Sequence, residues 1–416
     1  MASLKRSSIT RLLLDPFEPT GSSVDEEDDY RFGGDWRAWG IPLLVGVIGT
    51  VATLIGWVTN PGQFYFSYLV GWSFCLTLTL GALFFVLIQH LTRARWSVVV
   101  RRLAEAVLWS FPILAMLSIP ILLGMHDLYH WTHADAVASD PILAGKEPYL
   151  NVPFFLGRFA FYFAIWSLLG YKLYRLSLQE DETGDPSIPA RQRKVSAWGL
   201  VLTAVTTAFA SYDLWMSLDP HWFSTIFGVY IFAGAFMSIH AFLALAAMMI
   251  QRGTSLRRTV TREHYQDLGK MTFGFVVFWA YIAFSQYMLI WYGNIPEETV
   301  WYRHRLEHGW EAHSAMLLIG HFIVPFLLML PRSVKRSKPL LGILCVWLLA
   351  MQWFDLHWLA MPVLHPDDAG IHLLDVTSWL GLFGLFAASF MYRLSRHPLV
   401  PRRSPYLEAS LHFENS

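Results

Sequence analysis

The sequence predicts an all-α polytopic membrane protein with about ten transmembrane helices. Three observations carry this reading. Of 416 residues, 55% are hydrophobic and only 15% charged, against roughly 25% charged in a soluble domain. The apolar residues fall in runs of about 20, the length of a helix that crosses a bilayer. The basic residues lie almost wholly on alternate connections, as in chains that thread a membrane.

The apolar runs define spans near 39–58, 65–90, 103–124, 153–174, 196–217, 223–250, 269–291, 309–330, 339–361 and 372–392. The connections "VTNPGQF" and "LDPHW" are short enough to force tight antiparallel neighbours. Residues 1–38 form a polar, acidic N-terminal extension whose apolar core is too short for a signal peptide. Residues 393–416 form a C-terminal tail. Of the 31 Lys and Arg residues, only Lys146, Arg158, Arg303 and Arg305 fall on the second side of this topology. The other 27 sit in the extension, the tail, or the connections after the second, fourth, sixth and eighth spans together with the helix ends that flank them. Basic connections stay in the cytoplasm, so both termini are expected there, and the His- and Asp-rich connection near 125–151 outside.

"FSYLVG" (Phe66–Gly71) opens the second span and "FSTIFG" (Phe223–Gly228) the sixth. Both run inward toward a basic connection. This predicts a membrane domain, 39–392, of two similar four-helix bundles in parallel orientation (65–217 and 223–361), with the first and tenth spans as flanks; such repeats are common in membrane folds.

Net charge is zero, which argues against a nucleic-acid partner. The two cysteines, Cys75 and Cys345, both lie in apolar spans. They exclude a self-contained iron–sulfur site, a CxxCH haem motif and a disulfide framework. A haem between His240 and His321 would want a second facing pair for a two-haem cytochrome, and spans two to five offer none. No metal site and no catalytic residue is therefore predicted.

The informative residues are polar groups inside the apolar runs. In "AMQWFDLHWLAMP" (Ala350–Pro362), Asp355 and His357 lie within the ninth span. An Asp at a membrane helix centre costs about 3 kcal/mol on insertion scales. Residues two apart on a helix point about 200° apart, so each needs its own partner from another helix. Neighbouring spans supply Gln286, Tyr287, His313, His321 and His240; the first unit supplies Asp213 and Arg158. His90, Glu105 and Asp375 read as helix-end or interfacial groups. For Asp355, His321 and His240 two readings stand: a satisfied interhelical hydrogen bond, or a group that handles protons.

Two stretches, "DLWMSLDPHWFSTIFGVYIFAG" (Asp213–Gly234) and "FSQYMLIWYGNIPEETVWY" (Phe284–Tyr302), resemble the NrfD/PsrC-like membrane proteins. More narrowly, they are similar to the second NrfD-like (ActF-type) subunits of bacterial alternative complex III. The resemblance runs from the first span to the tenth and leaves out the N-terminal extension. It implies a subunit of a quinol:cytochrome c oxidoreductase in the inner membrane, in a respiratory or photosynthetic chain. Its implied partners are a sister NrfD-like subunit, an iron–sulfur subunit and c-type cytochrome subunits carrying haem c. Menaquinol or ubiquinol would be the electron donor, with lipids around the chain. This chain would hold no cofactor, a quinone being the one small molecule the resemblance allows it. Asp213, His240, His321, Asp355 and His357 become candidates for a proton route. Gln286, Tyr287, His313 and Arg158 become candidates for a quinone site or polar cluster. The other function classes are a membrane transporter and a purely structural anchor.

Overall fold

In the computed structural model the described residues are 32, 36–251, 254 and 256–415. They contain ten helices long and apolar enough to cross a membrane and no β-strand. These are α1 (Arg37–Thr59), α2 (Pro61–Leu91), α3 (Val98–Leu123), α4 (Val152–Thr183), α5 (Ile188–Leu218), α6 (Phe227–Ile250), α7 (Arg262–Gly293), α8 (Trp310–Met329), α9 (Lys338–Leu364) and α10 (Leu373–Arg396). The chain is therefore a multi-pass membrane protein by length and composition. Nearly all of the N-terminal extension expected over 1–38 lies outside the described residues.

Local signals fix the helix starts. Asn60 caps α2, its side chain accepting from Gln63 N at 3.3 Å, and Pro61 occupies the first turn, where a missing N–H costs nothing. Asn151 does the same for α4 at 3.0 Å, ahead of Pro153. Gly184, at φ +64°, ends α4 in the left-handed conformation that a residue without Cβ adopts cheaply.

Contacts between connections sort the loops onto two faces. Arg402 N donates to Asp181 at 2.8 Å, Ser410 Oγ to Trp96 O at 2.8 Å, and Arg332 to Asn415 O at 3.3 Å. The α2–α3 turn, the end of α4, the α8–α9 turn and the C-terminal segment thus share one face. On the opposite face Lys146 donates to Pro220 O at 2.5 Å, Ser224 to Gln286 at 2.8 Å, and Trp310 to His365 O at 2.8 Å.

α2 and α6 form the centre, with 94% and 89% of their apolar windows buried. They touch through Phe84 and Phe232, 4.6 Å between ring centroids. α1 and α10 pack backbone to backbone. A Cβ on Gly49 would sit 2.5 Å from Gly381 N, and one on Gly384 2.5 Å from Gly46 N. Small residues at a membrane crossing give van der Waals contact where lipid supplies no hydrophobic drive.

Several expected boundaries move. α2 starts at Pro61 rather than near 65, α3 at Val98 rather than 103, α7 at Arg262 rather than 269, and α6 only at Phe227. α4 and α5 continue as polar helix to Thr183 and from Ile188. Hydropathy marks the part of a helix that suits lipid, whereas the hydrogen-bond ladder continues wherever Leu, Gln, Glu and Arg favour it. The loop near 125–151 contains short helices at Met125–Leu128, Ala134–Ser139 and Pro141–Lys146.

Two spans are not continuous α-helix. α3 is interrupted around Leu108–Trp109 and at Ser118. Pro112 and Pro120 cannot donate to the carbonyls four residues back. The opened stretch offers Leu114 O to Trp72 Nε1 at 2.9 Å and Leu117 O to Tyr68 OH at 2.8 Å. α8 widens into a π-turn over Leu317–Ile323. Pro325 supplies no N–H to His321 O, and Trp347 Nε1 donates to Gly320 O at 2.6 Å inside the same turn.

Candidate functional site

The ninth helix carries two carboxylate- and imidazole-bearing faces, and each finds its own partners, as the 200° separation requires. Asp355 is 2% exposed. It faces α6 and α7, where Tyr230 OH donates to Oδ1 and Trp279 Nε1 to Oδ2 at 3.2 Å. Trp279 lies flat on the His321 ring, 3.9 Å between centroids and 26° between planes. His321 is fully buried, and neither ring nitrogen has a hydrogen-bond partner. It sits on the π-turn of α8, a distortion that recurs at functional sites. An acid, a phenol, an indole N–H and an unpartnered imidazole are thus drawn together from four helices.

His357, on the other face, is fully buried. Its Nε2 lies 3.4 Å from Asp375 Oδ2, close enough for an ion pair though not aligned as a hydrogen bond. Asp375 caps α10 by accepting from His372 N at 2.7 Å, so the helix-end reading holds. It is not a rim group, however, being 1% exposed. Ser67 donates to it at 2.5 Å and Gln63 at 3.2 Å, and Gln63 Oε1 meets His365 Nε2 at 2.6 Å. His313, half-buried, stacks on Phe354 at 5.2 Å and stands 6.2 Å from the His357 ring.

The remaining expected residues stand apart from both clusters. Asp213 and Arg158 are one structure: Nε and Nη2 of Arg158 donate to the two carboxylate oxygens at 2.9 and 2.7 Å, and Tyr162 OH donates at 2.8 Å. Arg158 also donates to Tyr149 O at 2.9 Å and lies 3.8 Å over the Tyr149 ring. Gln286 accepts from Ser224 at 2.8 Å and donates to Tyr302 OH at 3.1 Å, and Tyr287 meets Tyr302 edge-on at 5.1 Å. His240 gives Nδ1 to the Phe236 carbonyl contact at 2.6 Å and is walled by Phe85, Phe236 and Phe275. The side chains of α6–α9 therefore form separate clusters rather than one continuous hydrogen-bonded line. Among the described residues no three His, Cys, Asp or Glu side chains converge as metal ligands.

The residues missed by sequence reasoning are the partners. Tyr230 and Trp279 carry no charge, so a search for ionisable groups passes over them. Gln63 and Ser67 sit in the first turns of α2, four residues apart and on one face, a signal that was available. Arg305, on the α7–α8 connection, is 1% exposed. It donates to Trp301 O at 2.9 Å and Leu359 O at 2.8 Å and lies 3.5 Å over the Trp301 ring. Burial pushes its guanidinium down to about 9, with Asp219 opposing. Compared with protein-family models and with curated proteins, the chain matches none.

Proposed function

We propose that this chain is the second NrfD-like membrane subunit of a bacterial alternative complex III, a quinol:cytochrome c oxidoreductase. In this reading it holds no redox centre of its own and supplies a proton-handling carboxylate, Asp355, to a complex whose iron–sulfur and haem c subunits move the electrons. The observation that carries the reading is the Asp355 cluster. A carboxylate with two donors, beside an unpartnered imidazole on a π-turn, is costly in a membrane and is the kind of group that loads and releases protons. The two-bundle arrangement is supported by the like positions of α2 and α6, each with about nine-tenths of its apolar stretch buried. A cytoplasmic C-terminus is supported by the basic-rich connections gathering on the C-terminal face.

The identity is tested by mass spectrometry of the native assembly purified through this chain. Iron–sulfur and c-type cytochrome subunits at fixed stoichiometry are expected. A homo-oligomer free of redox partners would rule the reading out. It would favour the second reading, a transporter, which draws on the interruption of α3, since transport sites often sit at broken helices.

A further inference from the structure

A groove of about 580 Å³ runs between α4 and α5, away from every cluster above. One end is walled by the apolar Ile165, Leu168 and Leu202, and the other by Tyr171, Lys172, Arg175 and Trp198. It opens outward: Leu168 is 67% exposed and Tyr171 52%. The volume falls in the range of built ligand pockets.

The chemistry is divided along its length. Lys172 and Arg175, three apart on α4, share a helix face. Lys172 Nζ stands 6.0 Å over the Trp198 ring, and Arg175 donates to Tyr171 OH at 3.2 Å. Neither makes a salt bridge among the described residues, whereas the neighbouring Arg101 and Arg102 are held by Glu105, Glu180 and Asp181. These two cations, without an acidic partner among the described residues, sit where the apolar stretch of α4 ends and that of α5 begins, beside a Trp and a Tyr. That is the composition of a membrane boundary. From Ile165 to Arg175 the helix rises about 15 Å at 1.5 Å per residue. One leaflet of a hydrocarbon core about 30 Å thick has that depth.

We propose that this groove is a binding site for an anionic glycerophospholipid. One acyl chain lies along Ile165, Leu168 and Leu202, and the phosphate sits between Lys172 and Arg175. Basic pockets between membrane helices hold anionic headgroups in this way. The apolar wall selects a lipid over a free phosphate, and the paired cations select an anionic headgroup over a zwitterionic one.

The test is native mass spectrometry of the full chain in its purified assembly, delipidated and titrated with phosphatidylglycerol or with phosphatidylcholine of the same acyl chains. Phosphatidylglycerol should be retained and phosphatidylcholine lost at equal activation. Lys172→Gln with Arg175→Gln should weaken phosphatidylglycerol binding about 30-fold, roughly five-fold per charge removed. Both positions are exposed, so folding is expected to hold. Leu168→Trp, which fills the groove and keeps both cations, should also abolish retention. Equal retention of the two lipids, binding unchanged in the double variant, or displacement by millimolar inorganic phosphate would overturn the assignment. So would a photo-crosslinker at position 168 that captures a protein subunit in native membranes instead of lipid.

Discussion

Removing one partner of the Arg158–Asp213 pair should destabilise the chain far more than removing both. Asp213 accepts three hydrogen bonds, two from the Arg158 fork and one from Tyr162. The side chains are 10% and 3% exposed, so little water is at hand to replace a lost partner. Breaking a buried pair from one side costs about 3–5 kcal/mol, because the remaining charge is stranded. Asp213→Leu strands a guanidinium that keeps only the Tyr149 carbonyl and the faces of the Tyr149 and Phe154 rings; Arg158→Met strands a carboxylate that keeps only the Tyr162 hydroxyl. The double variant strands neither, so its loss should be smaller than the sum of the singles by about 2 kcal/mol or more, within the range of coupling between contacting residues. The assay is unfolding of the four proteins in mixed micelles, followed by tryptophan fluorescence. Additive losses would refute the reasoning, since they would mean that the two charges do not depend on each other.

Other consequences follow from the packing and the loops. Gly49→Leu should markedly lower thermal stability, because even a Cβ meets the Gly381 backbone at 2.5 Å, whereas Gly145→Ala, with nothing within 4 Å, should not; size-exclusion after heating compares them. On the face opposite the C-terminus, His221 holds the Asp140 carboxyl below its usual 3.8 through a 2.6 Å contact, with the Ile142 and Leu143 amides assisting. A depressed folded pKa gives stabilisation that is present above that unfolded value and lost as pH falls through the folded one. Hydrogen exchange of residues 134–146 should therefore lose protection as pH falls below the ordinary carboxylate range, and Asp140→Asn should remove that acid limb. A C-terminal reporter fusion should be active only in the cytoplasm; periplasmic activity would reverse the two faces.

The ten spans were legible because a bilayer imposes one length and one composition on every crossing helix. The separation of Asp355 from His357 was legible too, since it follows from the helical repeat alone. Their partners were not. Which of Gln286, Tyr287, Tyr230 or Trp279 meets Asp355 depends on the rotation of α6 and α7 about their axes, and that is set by packing such as Phe84 on Phe232. Asp375 reads as a rim group because it lies three residues into a helix, yet the turns of α2 and the end of α9 fold over it. The π-turn at His321 was hidden as well, although Pro325 four residues on marks where the ladder must open.

In the proposed function Asp355 carries protons rather than merely accepting hydrogen bonds. The direct measurement is quinol:cytochrome c turnover and proton release by the reconstituted assembly carrying Asp355→Asn, beside Asp355→Leu as a packing control. The amide keeps the size and can still accept from Tyr230, at the cost of facing the Trp279 N–H poorly, about 1–3 kcal/mol. Asp355→Asn should assemble with all its partners and lose most of its proton-coupled turnover. Wild-type turnover and proton release in Asp355→Asn, with Asp355→Leu failing to assemble, would contradict it and leave Asp355 as a structural acceptor.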